Sequence, residues 1–165
     1  MGVDIATAGK AALGLAIDGK PKRGFIWQPD HHRDSEAVKM VDFYDWLMAK
    51  FDVYRPQIVA VEQVAGFMNR KVIQALSRFE GVALLAGKKS GALVLNPTVG
   101  SSRSIVLNSS ANISKEDAYA AFKKLYPHLA LGKVNQGGMD KCDALVHALA
   151  AETHLERGAR SLRKV

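Results

Sequence analysis

Short apolar runs broken by small polar turns fill the first part of the chain. Gly2 to Ala6, Ala11 to Asp18 and Arg23 to Gln28 are separated by Ala8-Gly9-Lys10 and Asp18-Gly19-Lys20-Pro21, a spacing that predicts an antiparallel meander of three strands. After a polar stretch from Pro29 to Ser35, which carries His31 and His32, the residues Ala37, Met40, Val41, Tyr44, Leu47 and Met48 recur at helical spacing and predict a helix up to Lys50. Gln57 to Glu62 is apolar, rich in β-branched residues and too short for a helix, so it predicts a buried strand that ends in a carboxylate. From Asn69 to Lys88 the apolar positions spread over much of a helix surface beside a polar line of Arg70, Gln74 and Arg78. The expectation there is a helix with two buried sides, one a dimer contact. Ala92 to Asn96 predicts another strand, ended by Pro97, and a loop rich in Gly and Ser is expected up to Asn112. Ser114 with Asp117 three residues on marks the start of a helix through Tyr119, Phe122 and Leu125, which Pro127 stops. A last helix follows Gly137-Gly138, runs through Asp140, Asp143, Leu145 and Leu149 to Ala150, and leaves a basic tail from Arg157 to Lys164.

Three antiparallel strands, a helix, a strand, a helix, a strand and further helices make an α/β pattern, a five-stranded mixed sheet flanked by helices. It is the element order of an RNase H-like domain. With 165 residues, 48% of them hydrophobic, the chain is expected to bury one core and form one domain over 1–165 with a short basic C-terminal tail. The 23 Lys and Arg exceed the 16 Asp and Glu, for a formal charge of +7, which favours a polyanionic partner over an acidic or neutral one. Cys142 stands alone, so no disulfide or cysteine-based zinc cluster can form within the chain. No run reaches membrane-spanning length and no signal-peptide pattern opens the chain, so a cytoplasmic setting is expected, with no membrane partner.

The placement of the acids adds chemistry to this frame. Asp4 interrupts the middle of the first strand, between Val3 and Ile5, where a buried sheet would carry an apolar side chain. Glu62 closes the fourth strand, and Asp140 and Asp143, three residues apart on the first turn of the last helix, share one face. Taken singly, the two late aspartates could serve the helix dipole and Glu62 a neighbouring base. Together, carboxylates about 5 Å apart at an effective dielectric near 20 repel by roughly 3 kcal/mol per pair, which a marginally stable domain cannot carry without a cation. An oxygen-only set suits Mg²⁺, or Mn²⁺, and paired ions of this kind hydrolyse phosphodiesters, one activating water and the other stabilising the leaving oxygen.

Gly2-Val3-Asp4, Val61-Glu62-Gln63-Val64 and Asp140-Lys141-Cys142-Asp143-Ala144-Leu145, in this order and at this spacing, resemble the three acidic motifs of the RuvC family of Holliday junction resolvases. The resemblance extends over nearly the whole chain. It implies an RNase H-like fold, a homodimer holding a four-way DNA junction, and two symmetric nicks leaving ligatable 5′-phosphates. It further implies that Asp4, Glu62, Asp140 and Asp143 are the catalytic metal ligands for two Mg²⁺ ions, with Asp4 shared between them. Lys115 resembles a basic residue placed near the scissile phosphate. Where family members often carry a wedging aromatic, this chain has Ala65, with Phe67 two residues later, so the wedge departs from the pattern.

Arg70, Lys71 and Arg103 are candidates for contacts with backbone phosphates, as are Lys88, Lys89 and the basic tail; for each the plainer alternative is a solvated surface charge. His147 shares the helix face of Asp143, either to assist protonation of a leaving group or as a packed histidine, and Cys142 is expected to be buried packing. Two other functions remain at this point. An actin-like or sugar-kinase ATPase half begins with a similar strand and Asp but needs a second large domain. A related RNase H-like nuclease acting on RNA/DNA hybrids, flaps or forks would share the acid set.

Overall fold

The computed structural model describes residues 1–6, 10–29, 35–64 and 69–162, except for the side chains of 135 and 156–162. Its centre is a five-stranded sheet in the order β3-β2-β1-β4-β5, built from β1 (Gly2–Ala6), β2 (Lys10–Ile17), β3 (Lys20–Trp27), β4 (Ile58–Val61) and β5 (Leu93–Leu95). The first three strands are antiparallel, and β4 and β5 add in parallel to β1, the mixed sheet that the sequence predicts. The second turn is shorter than expected: Lys20 and Pro21 belong to β3, leaving Asp18-Gly19 as the connection. Proline is tolerated there because β3 is an edge strand. Thr7, Ala8 and Gly9 of the first turn, and His31 and His32, lie outside the described residues.

The two faces of the sheet differ in kind. Val3, Ile5, Val59 and Val61 point to a core shared with α1 (Glu36–Tyr54) and α2 (Arg70–Lys89), where Trp27, Phe43, Phe51 and Phe79 fill the space between the helices and the strands. Helix α1 begins at Ser35, whose side chain accepts from the Val38 amide, and runs past Lys50 to a left-handed Arg55 just before Pro56. Within this chain α2 buries Leu76, Phe79, Ala83 and Ala86, while Leu85 is 52% exposed. The expected second buried side is thus not covered by the described residues.

The opposite face carries α5 (Gly138–Leu162), and glycine makes the approach possible. Gly2 and Gly14 are partners across β1 and β2, and a Cβ on either would fall within about 2.5 Å of α5 backbone, at Ala144, Leu145 or Ala148. Because strand side chains alternate, the face with Gly2 also holds Asp4, and the close packing delivers the N-terminal part of α5 to that carboxylate. The stretch read as a loop after Pro97 contains a helix, α3 (Val99–Leu107), capped by Thr98, whose side-chain oxygen accepts from the Ser101 amide. Helix α4 (Lys115–Leu125) starts as predicted at Ser114, which accepts from the Asp117 amide. A short 3-10 turn, Val134–Gln136, precedes α5, and the basic tail continues that helix as far as Leu162. Among the described residues no helix is long and apolar enough to cross a membrane.

Candidate active site

Asp4 and Glu62 meet because β1 and β4 are parallel neighbours. The register pairs Gly2 with Ala60 and Val3 with Val61, and the Glu62 amide donates to the Val3 carbonyl at 2.9 Å, so one step further Glu62 lies beside Asp4 on the α5 side. Asp4 is only 4% exposed and its Oδ2 has no hydrogen-bond partner. Burial drives its pKa well above the usual carboxylate range; a hydrogen bond and charge from Glu62 push the same way, as does Asp143, while Lys115 opposes them. A buried carboxyl with a free lone-pair oxygen beside other acids is a group short of a counter-charge.

Lys115 supplies part of it. Its Nζ lies 2.7 Å from Asp140 Oδ1, 3.4 Å from Asp143 Oδ2 and 3.8 Å from Asp4 Oδ2. Burial alone would lower the pKa of this lysine, but the three aspartates more than reverse that and raise it. Its position is otherwise poor for a cation, because it is the first residue of α4, at the positive end of the helix dipole. The carboxylates hold it there.

Asp143 has a second partner. Arg103, from α3, donates Nε to Oδ1 at 3.0 Å and Nη2 to Oδ2 at 2.9 Å, and its Nη1 donates to the Ile113 carbonyl at 3.0 Å. One residue earlier Ser102 Oγ contacts His147 Nδ1 at 2.9 Å. His147 is fully buried, burial lowers its pKa, and its Nε2 has no hydrogen-bond partner. Helix α3 therefore grips two successive turns of α5 at positions 143 and 147. This geometry combines a carboxylate cluster with a resident ammonium, and a guanidinium fork holds the Asp143 carboxylate in orientation.

No family model matches the chain. The crossover junction endodeoxyribonuclease RuvC of Bifidobacterium animalis subsp. lactis (strain AD011) is 30% identical to it over 137 residues, which make up 82% of this chain and 69% of that protein. The chain belongs to the RuvC family. Two solved structures share the fold: Thermus thermophilus RuvC, with a TM-score of 0.73 and 18% identity over 93% of this chain and 95% of that one, and T. thermophilus RuvC in complex with a Holliday junction substrate, with a TM-score of 0.74 and 15% identity over 95% and 92%. The RNase H-like architecture expected from the element order is the architecture of this RuvC-family chain.

Within the RuvC frame the sequence-predicted acids come together, though not as a closed cage. Among the described residues no group of three or more His, Cys, Asp or Glu side chains could hold a metal ion; Lys115 stands between Asp4, Asp140 and Asp143, and Arg103 engages both oxygens of Asp143. The donors nevertheless suit a hard divalent cation: all are carboxylate oxygens, one is orphaned and buried, and an ammonium marks the point of negative potential. Arg103, a candidate phosphate contact in the sequence, is only 7% exposed here, with its guanidinium donors engaged by Asp143 and Ile113. Arg70 and Lys71 are exposed at the start of α2, and Phe67 lies outside the described residues. Cys142 is buried, as expected, and burial raises its pKa. The sequence reading missed Ser102 and the link of Arg103 to Asp143; the signal was Thr98 with Ser101 three residues later, a helix start hidden among serines and glycine.

Proposed function

We propose that this chain is a divalent-metal-dependent endodeoxyribonuclease that resolves four-way DNA junctions by paired nicks leaving 5′-phosphates. The observation that carries the reading is the convergence of Asp4, Asp140 and Asp143 on one cationic centre, with Glu62 beside Asp4 on the neighbouring strand. These four carboxylates, in a domain spanning the chain, would hold Mg²⁺ or Mn²⁺, two ions per site. A bound divalent ion supplies Lewis acidity toward a phosphodiester and toward water. The protein's own groups do the rest. Arg103 fixes the plane of the Asp143 carboxylate, the packing of Gly2 against α5 sets Asp4 against Asp143, and Lys115 lies where it can meet the charge of a phosphate entering the cluster. Two nicks in strands of like polarity require two such sites, hence a homodimer.

The test is a set of labelled substrates, four-way junction, Y-fork, linear duplex and RNA/DNA hybrid, incubated with Mg²⁺ or Mn²⁺. Paired nicks confined to the four-way junction are expected; cleavage of the hybrid or the fork alone would give the site to the related nuclease instead. The proposal also predicts a competition. Lys115→Gln removes the resident charge, so the metal-free variant should lose about 1 kcal/mol, a value discounted for the partial exposure of that side chain. In exchange it should gain more thermal stability than wild type on adding Mg²⁺. Equal Mg²⁺-induced shifts in melting temperature for the two proteins would remove Lys115 from the ion's position.

A further inference from the structure

On the α5 side of the sheet a groove of about 980 Å³ runs between edge strand β3 and the segment that joins α4 to the last helix. Lys20, Lys22, Arg23, Tyr126, His128 and Lys141 line it, and none of its lining residues is acidic. No carboxylate among the described residues pairs with Lys20, Lys22 or Lys141. Uncompensated charge in a concavity focuses potential more strongly than the same lysines on a convex surface.

The groove is joined to the carboxylate cluster through one residue. Lys141 directly follows Asp140, and its stem lies flat across β3: a Cβ on Gly24 would fall 2.7 Å from Lys141 Cβ and 2.9 Å from its Cγ. Gly24 thus leaves room for the lysine to form the groove's inner end. From Gly24 back to Lys20 the strand spans about 13 Å, the axial length over which one strand of a duplex presents roughly four phosphates. We propose that this groove is a second, sequence-independent binding site for the sugar-phosphate backbone of a DNA arm, running away from the cleavage point over β3. The inference deepens the nuclease reading and rests on it for the identity of the arm. The competing account is that Lys20 and Lys22 merely protect a sheet edge from pairing with another chain.

Binding to a four-way junction, measured without divalent cation over a range of salt concentrations, separates the two. For Lys20→Gln/Lys22→Gln the log-log salt slope should become shallower by about 1.8, the loss of two phosphate contacts at about 0.9 each. Lys20→Arg/Lys22→Arg should keep the wild-type slope, and on a junction with arms cut too short to cross β3 the Gln variant and wild type should coincide. Lys88→Gln/Lys89→Gln, an equal charge change at the end of α2 on the other face of the sheet, should alter the slope less. A wild-type slope for the Gln pair, or an equal loss from the Lys88/Lys89 pair, would overturn the groove. A wild-type chain that shows these slopes yet nicks no junction would instead sink the resolvase reading and leave the groove standing.

Discussion

Asp4→Asn is expected to remove metal-dependent nicking and to raise the melting temperature of the metal-free protein at neutral pH. Both effects come from one carboxylate. Asp4 is buried, one of its oxygens is unsatisfied, and Glu62 and Asp143 press on it. An amide of the same shape removes the repulsion and can donate to its acidic neighbours, a gain of about 1–3 kcal/mol. For a chain of this length that is about 2–4 °C per kcal/mol. The sign with pH follows from the raised pKa: the folded state binds the Asp4 proton more tightly than the unfolded state, so wild type loses stability as pH rises from the unfolded value, 3.8, through the raised folded value. Asparagine has no such loss. The stability gap between variant and wild type should therefore be small near pH 3.8, widen with pH and stay open above the folded pKa. Nicking should fall by about 10³-fold or more, since no other group can replace an ionised oxygen at that point. Melting curves across pH and single-turnover nicking check the two halves separately. A less stable Asn variant would make Asp4 a structural carboxylate; undiminished nicking would place the chemistry elsewhere.

What the sequence revealed and what it hid have the same physical origin. Asp4 was legible because β1 breaks its own pattern: a charge in a strand otherwise written in Gly, Val, Ile and Ala is a local contradiction, and such contradictions mark sites. Glu62, Asp140 and Asp143 were legible by position, at a strand end and on a first helical turn. Helix α3 was not, because Val99-Gly100-Ser101-Ser102-Arg103-Ser104 has poor helix propensity and no apolar stripe. Its formation depends on a cap at Thr98 and on polar side chains that find buried partners on α5, contacts set by tertiary structure. For the same reason Arg103 read as a surface cation. An isolated Arg among serines carries no sign, in sequence, of the aspartate forty residues away that takes up its fork. Lys115 was legible as a helix-start lysine, but its place among three aspartates needed α4 and α5 to be brought together.

Arg103 therefore separates two readings of the same residue by the sign and size of one measurement. A phosphate contact on the surface would, when removed, leave stability nearly unchanged and make the salt slope of DNA binding shallower by about 0.9. The buried fork predicts otherwise. Arg103→Met strips Asp143 of two charge-assisted hydrogen bonds while Asp4 and Lys115 stay in place, leaving a carboxylate that is 2% exposed without its main partner. Breaking one side of a buried pair costs about 3–5 kcal/mol, which is about 6–20 °C in melting temperature for this chain. Arg103→Lys should recover only part of this, since one ammonium cannot span both Asp143 oxygens and the Ile113 carbonyl. Replacing both partners, Arg103→Met with Asp143→Leu, should restore most of the stability, because an apolar pair of similar volume carries no unpaired charge. That double variant, however, should remain without nicking activity. Urea melts of wild type, Arg103→Met, Asp143→Leu and the double variant give the coupling energy between the two positions, expected at about 3 kcal/mol or more. Additive losses in the double variant would mean that the fork does not hold Asp143, and with it would go the account of how this acid is kept facing Lys115 and Asp4.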